Sequence, residues 1–422
     1  QWTPANISTF CSLKLSQKDK TMVKAILALF WVAVWAHDSS DNHNDVLQDP
    51  LVRTTQEDLD AKWGIDWAFS GISTFAHLKH ERCLQHPDFL YDIAILGSPF
   101  DTSTTYRTGA RFGPRAIRAA SARQTLARGY NPRANLNPYR EWATIVDCGD
   151  IPITPFDNAL AFRQMTEAFT ELAHRAAPPK SRDSGVSYRH IPKILSLGGD
   201  HSIALPELRA LNKIYGNIAV VHFDAHLDTW HPAKYPSVWV DPDDPTQQSF
   251  FTHGTMFWVA HNESLIRKGR SVHAGLRTRL SGIEDNEDDS SQGWKRFTAD
   301  DMDDLGARRM AQLIVEHVGV EAPVLLSIDI DVIDPGLAPG TGTPEPGGWT
   351  TRELIRVLRG IEGLNVVGAD IVEVSPSYDG AGEATSMAAA QVAFEILTSM
   401  VKRGMDREGH DAVNNRAARD EL

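Results

Sequence analysis

Short apolar runs rich in valine and isoleucine recur along the chain at residues 92–98, 143–147, 193–197, 218–223, 271–276, 324–330 and 366–374. Between them lie stretches whose apolar positions repeat every three to four residues, at 158–176, 203–215, 305–319, 351–362 and 383–403. Strand-length runs alternating with helix-length patterns predict an α/β protein with a mostly parallel sheet covered by helices on both faces. The runs 218–223 and 324–328 are too continuously apolar to alternate between core and solvent, so they read as central strands buried on both sides. In open sheets of this kind ligands gather at the carboxyl ends of the strands. Two polar stretches read as insertions: 231–252, rich in Pro and Asp, and 282–293, an acidic loop containing Glu284, Asp285, Glu287, Asp288 and Asp289. No internal repeat and no linker is evident.

The ends of the chain differ from its middle. Met22 and Lys24 precede an apolar run from Ala25 to Ala36, with small residues Val34 and Ala36 flanking Trp35. That pattern reads as a secretory signal peptide cleaved after Ala36, with residues 1–21 lying upstream of the true start. Residues 37–56 form a polar arm, 57–403 the catalytic domain and 404–422 a polar tail. The terminal Arg419-Asp420-Glu421-Leu422 is one basic substitution from an endoplasmic-reticulum retention signal. Secretion and retention in that lumen are therefore the two expected destinations. Asn262-Glu263-Ser264 is a possible glycosylation acceptor.

Composition narrows the function. With 42% hydrophobic and 23% charged residues the chain can build a sizeable core, which excludes wholesale disorder. The formal net charge of −13 argues against nucleic acid and suits a cation or a cationic small molecule. Loss of the leader would remove Lys14, Lys18, Lys20, Lys24 and Asp19, sharpening the acidity. It would also remove Cys11, leaving Cys83 and Cys148 to form one disulfide or none.

Three predicted strand ends finish in polar clusters: Gly198-Gly199-Asp200-His201-Ser202, Asp224-Ala225-His226-Leu227-Asp228 and Asp329-Ile330-Asp331. In extended chain, residues two apart face the same side, so Asp224 with His226, and Asp329 with Asp331, point into one site. A lone Asp-x-Asp is ordinarily a turn or a helix cap. Three clusters meeting at the open end of one sheet are a metal site, because six buried polar groups would otherwise be costly. Carboxylates with two imidazoles and no nearby thiolate suit Mn²⁺, with Zn²⁺, Fe²⁺ and Co²⁺ left open on ligand type.

These motifs resemble the ureohydrolase family, the arginases and agmatinases, across residues 92–403. Further segments resemble the agmatinase branch: Gly97 to Asp101, Arg107 to Pro114 with Ile117 and Arg118, His253 to Phe257, Pro335 to Pro344 and Asp370 to Pro376. The resemblance implies the three-layer α/β/α fold of arginases and histone deacetylases, two Mn²⁺ ions and a homo-oligomer, trimer or hexamer. It implies that His201 and Asp228 hold one ion, His226 and Asp331 the other, and that Asp224 and Asp329 bridge. It further implies that His253 shuttles protons beside the metals and that Glu373 grips a guanidinium by a charge-assisted pair. His222 and Asp370 read as strand-core positions behind the ligands.

The activity implied is hydrolysis of a small guanidino substrate to urea and an amine, through water acidified by two metals. His253, or Asp331 acting through metal-held solvent, would protonate the departing amine. The agmatinase-like motifs favour agmatine, giving putrescine. The stretch from Thr229 to Val240 lacks the Asn- and Ser-bearing loop of arginases, and its Lys234 would equally welcome a carboxylate. A 4-guanidinobutyrate hydrolase is therefore the alternative. A non-catalytic binding protein of the same fold is the alternative of another class, disfavoured because every ligand position is filled, as are His253 and Glu373.

Overall fold

The computed structural model describes residues 55–64, 66–178, 191–234 and 251–420, with side chains to Met405. The leader expected over residues 1–36 and residues 235–250 of the expected insertion lie outside the described residues. Contacts divide the chain at Ile65 and Asp66. Before that division, helix α1 (Gln56–Trp63) is capped by Thr55 and Asp58 in a reciprocal capping box and buries none of its residues.

After it, eight strands form one sheet in the order β2-β1-β3-β8-β7-β4-β5-β6, with every pairing parallel. They are β1 (Ile93–Ser98), β2 (Ile145–Asp150), β3 (Lys193–Gly198), β4 (Ala219–Phe223), β5 (Ser271–Leu276), β6 (Trp294–Thr298), β7 (Pro323–Asp329) and β8 (Asn365–Val372). The seven apolar runs thus mark seven of the strands. β6 escaped that pattern because it lies at the sheet edge and carries Lys295 and Arg296 among its five residues.

The helices are α2 (Gly113–Ala120), α3 (Asn158–Ala173), α4 (Ala204–Tyr215), α5 (Met256–Asn262), α6 (Ile283–Gln292), α7 (Asp301–Val318), α8 (Thr351–Gly360) and α9 (Ala384–Asp420). Alternate strand residues pack in opposite directions, as the pleat requires. Val221 and Leu326 pack with residues of α2, α7, α8 and α9, whereas Val220 and Leu325 pack with residues of α4 and α5. α3 lies on the second face beyond them, with Phe162 and Met165 against Ala94 and Ile194. The architecture is therefore the expected three-layer α/β/α sandwich around a parallel sheet.

Local chemistry sets several boundaries. Thr350 and Glu353 close a capping box at the start of α8, and Asp157 caps α3 through the Leu160 amide. Gly306, at φ 68°, breaks the helical path inside α7, which is why the periodic pattern begins only near residue 305. The acidic stretch 282–293, expected as a loop, is instead α6. Its Glu284 and Asp285 lie at the helix amino terminus, where carboxylates are favoured, and left-handed Gly293 ends it. The last helix continues past residue 403 to Asp420, and its apolar part, Ala384–Met405, is mostly buried, the mark of a core helix.

Cys83 and Cys148, both buried, form a disulfide that ties the segment before β1 to β2 across 65 residues of sequence. Cross-links of this span stabilise by about 2–4 kcal/mol through loss of unfolded-state freedom. Reduction, or Cys148→Ser, should lower the free energy of unfolding by about that amount in a denaturant titration. An unchanged midpoint would show that the bond contributes no stability.

Candidate metal centre

The four central strands β3, β8, β7 and β4 are neighbours, and their carboxyl ends deliver the predicted cluster. Beyond β3, Asp200 caps a short turn through the Ser202 amide and sets His201 inward. Asp224, His226 and Asp228 follow β4, Asp329 ends β7 with Asp331 two residues on, and Glu373 follows β8. All are buried except His226, which keeps slight exposure. Asp228 (φ 56°) and Glu373 (φ 62°) adopt the left-handed backbone that costs a non-glycine residue energy. Strain at two adjacent points of one cluster is what a site held in place by its surroundings shows.

The six predicted ligands converge. His201 Nδ1 lies 3.2 Å from Asp224 Oδ2, 3.1 Å from Asp228 Oδ2 and 3.4 Å from Asp329 Oδ2. His226 Nδ1 lies 3.1 Å from Asp224 Oδ1 and 3.1 Å from Asp331 Oδ2. Asp224 therefore spans the two halves, one oxygen toward each imidazole. Asp329 meets the His201 half with Oδ2, while its Oδ1 accepts from the Asp331 amide at 2.8 Å. Two groups have ligand atoms all within 4.8 Å of one another: His201, His222, Asp224 and Asp228, and Asp224, His226 and Asp331. Carboxylate oxygens with imidazole nitrogens and no thiolate fit a pair of divalent ions.

Charge makes the same demand. Among the described residues, every ion pair of Asp224, Asp228, Asp329, Asp331 and Glu373 is with a histidine, never with Lys or Arg. Burial, reinforced by Asp331 and Asp224, holds the Asp329 carboxyl well above the usual range. Burial and the Asp224 charge push Asp331 up to about 6. Burial also pushes Asp224 up, but the surrounding imidazoles of His222, His201 and His226 outweigh it and hold the group well below its ordinary value. Asp224 thus stays anionic while its neighbours resist ionising without a compensating cation.

Glu373 and His253 form the site's second part. Glu373 Oε1 accepts from the His201 amide at 2.8 Å and from His253 Nδ1 at 2.9 Å, while its buried Oε2 has no partner among the described residues. The Thr105 amide donates to His253 Nε2 at 3.1 Å, and the Thr105 hydroxyl lies 2.8 Å from the same nitrogen. Those two bonds fix an uncharged Nδ1–H ring. Burial disfavours the imidazolium, but Glu373, Asp228 and Asp200 outweigh burial and pull the pKa of His253 up to about 9. Of these three groups only Asp228 is a predicted ligand, so a bound cation would weaken that part of the pull, toward the uncharged ring that the Thr105 geometry indicates.

A pocket of about 100 Å³ opens here between Thr105, His226, Asp228, Trp230, His253, Gly254, Asp329 and Thr343. Trp230 and Thr105 were not singled out in the sequence. Of the layer beneath the ligands, where Ser196, Asp370, Ser327, His222, His273 and Arg296 stand in register across six adjacent strands, the sequence points only to His222 and Asp370. From this row Ser327 Oγ lies 2.7 Å from His201 Nε2 and donates to Asp370 Oδ1 at 2.8 Å. That contact leaves Nδ1 of His201 facing the carboxylates. Polar residues inside strands otherwise buried on both faces were the available signal for this layer.

The arginase family model matches residues 91–398. The chain belongs to the arginase family. A Schizosaccharomyces pombe protein named "Putative agmatinase 1" is 44% identical over 351 residues, covering 83% of this chain and 87% of that protein. A guanidinobutyrase of Pseudomonas aeruginosa is 36% identical over 329 residues, covering 78% of this chain and 92% of that protein. Among solved structures, the proclavaminate amidino hydrolase of Streptomyces clavuligerus superposes with a TM-score of 0.68 at 34% identity, over 80% of this chain and 100% of that one.

The carboxylates give this arginase-family protein a testable pH signature. The fold raises Asp331 from an ordinary 3.8 to about 6, so its contribution to stability is full below 3.8 and lost as pH rises through about 6. The unfolding midpoint of ion-stripped protein should therefore fall as pH rises across that window, and divalent ions should abolish the fall. Identical slopes with and without ions would contradict the charge argument.

Proposed function

We propose that the protein hydrolyses agmatine to putrescine and urea with two Mn²⁺ ions. His201, Asp228 and Asp329 would hold one ion, His226 and Asp331 the other, with Asp224 bridging and Asp329 extending toward the second. The observation that carries the reading is the unpartnered, buried Oε2 of Glu373 beside that cluster. A carboxylate oxygen buried without a donor calls for a cationic N–H group, and the planar guanidinium is the matching donor.

The guanidinium carbon resists attack because its charge is spread over three nitrogens. When bound, the two ions lower the pKa of water toward neutrality and so make a competent nucleophile available. Glu373, anchored by the His201 amide and His253, orients the guanidinium plane. Attack at the carbon yields a tetrahedral centre, and the carbon–nitrogen bond to the alkylamine breaks as that nitrogen gains a proton. His253 lines the pocket, and its ring, held by Thr105 and Glu373, would take up the proton released as the water ionises and pass it to the departing nitrogen.

Two observations bear on the far end of the substrate. Lys234 Nζ lies 2.7 Å from Asp285 of α6, so the cation the sequence offers to a carboxylate is already neutralised, which favours an amine. Trp230 adds an aromatic wall, suited to a methylene chain and an ammonium. The second reading, 4-guanidinobutyrate, is favoured by Arg107. Its guanidinium lies 5.1 Å from the rings of both Tyr106 and Tyr378, with no acidic partner among the described residues, on the loop that supplies Thr105 to the pocket.

The test is urea release by Mn²⁺-loaded protein from agmatine, 4-guanidinobutyrate and arginine. Agmatine should be preferred, Glu373→Gln should reduce turnover at least about 100-fold while keeping the metal content, and Arg107→Gln should leave agmatine turnover intact. No urea from any substrate refutes the reading. Preference for 4-guanidinobutyrate that collapses in Arg107→Gln selects the alternative.

The disulfide also supports passage through an oxidising compartment, in line with the secretory leader read in the sequence. Thiol trapping at cell lysis should then find Cys83 and Cys148 unreactive. Free thiols in the mature protein would place it in a reducing compartment instead.

A further inference from the structure

The acidic helix α6 reaches the bridging side of the metal centre through a hydrogen-bonded line. His222 Nε2 lies 2.8 Å from Asp224 Oδ2, His222 Nδ1 lies 2.7 Å from His273 Nδ1, and His273 Nε2 lies 3.0 Å from Asp289 Oδ1. Ionised carboxylate oxygens only accept, so each outer ring nitrogen donates to the carboxylate it faces. The line is dry: His222, Asp224, His273 and Asp289 are all fully buried. Its rings are clamped, His273 by stacking on Trp294 at 4.0 Å and His222 edge-on against Phe257 at 4.9 Å.

Asp289 is itself immobilised. It accepts from Arg296 Nη1 at 2.6 Å and from the Thr229 hydroxyl at 2.7 Å. Asp224 Oδ1 accepts from the His226 amide at 2.6 Å, and a donor fixed behind the carboxylate holds the other oxygen, Oδ2, toward His201. His222 is that donor, and Asp289 is the end of the line that fixes His222.

We propose that Asp289, acting through His273 and His222, is a positioning residue for Asp224, so that helix α6 sets the affinity of the centre for divalent ions. This rests on Asp224 being the bridging ligand. The arrangement follows the general behaviour of ligand-supporting hydrogen bonds, whose loss weakens metal affinity on the order of 10–100-fold.

The experiment is calorimetric titration of the full, ion-stripped chain with Mn²⁺, alongside the unfolding midpoint of each variant. Asp289→Asn and His273→Phe, which cut the line at two places, should each bind Mn²⁺ about 10–100-fold more weakly while folded at the titration temperature. Asp285→Asn, one turn away on the same helix, releases Lys234 but leaves the line intact and should bind Mn²⁺ as the parent does. Affinity within about threefold of the parent in a folded Asp289→Asn or His273→Phe chain would overturn the proposal. Equal weakening by Asp285→Asn would also overturn it, because the helix would then act by packing alone. If the parent binds no Mn²⁺, or Asp224→Ala binds it undiminished, the bridging assignment fails instead.

Discussion

Several carboxylates, buried together with only imidazoles for counter-charge, govern the rest of this structure. Asp224, Asp228, Asp329, Asp331 and Glu373 sit within the closed top of the sheet, and no lysine or arginine among the described residues pairs with them. Removing charges from water is expensive, and neighbouring like charges add to the cost. A fold keeps such a cluster when a cation compensates it. The two halves, each with one inward-facing imidazole and sharing the Asp224 carboxylate, divide that compensation between two positions.

The parallel sheet makes the crowding feasible. Four adjacent strands deliver their ends to one place, and the left-handed backbone at Asp228 and Glu373 turns two of those carboxylates inward. Below the ligands, a polar row crosses the sheet in register and ties His201 to Asp370 through Ser327, and Asp224 to Asp289 through His222 and His273. Above them, α6 holds Lys234 through Asp285 and thereby braces the segment that carries Trp230 to the pocket. One helix thus reaches both the ligand support and the substrate wall.

Much of this was legible in the sequence because it is local. Apolar runs buried on both faces announce central strands, and Asp-x-His and Asp-x-Asp at their ends announce paired side chains by the two-residue period alone. The edge strand Trp294–Thr298 was not legible, since one side of it lacks a neighbouring strand and its charged residues break the run. α6 read as a loop because its sequence is nearly all acidic and polar, yet Asp285 and Asp289 are buried by partners from distant strands and loops. Lys234 looked free for the same reason, its partner lying far along the chain. The polar row needed strand order, which local patterning does not provide: His222 and His273 are neighbours only because β4 lies beside β5.

The central claim is that two cations share the Asp224 carboxylate, and an anomalous-scattering map from a Mn²⁺-loaded crystal tests it most directly. The account predicts two peaks flanking Asp224, one beside His201 Nδ1 and the other beside His226 Nδ1. A single peak, or none at this cluster, would contradict it.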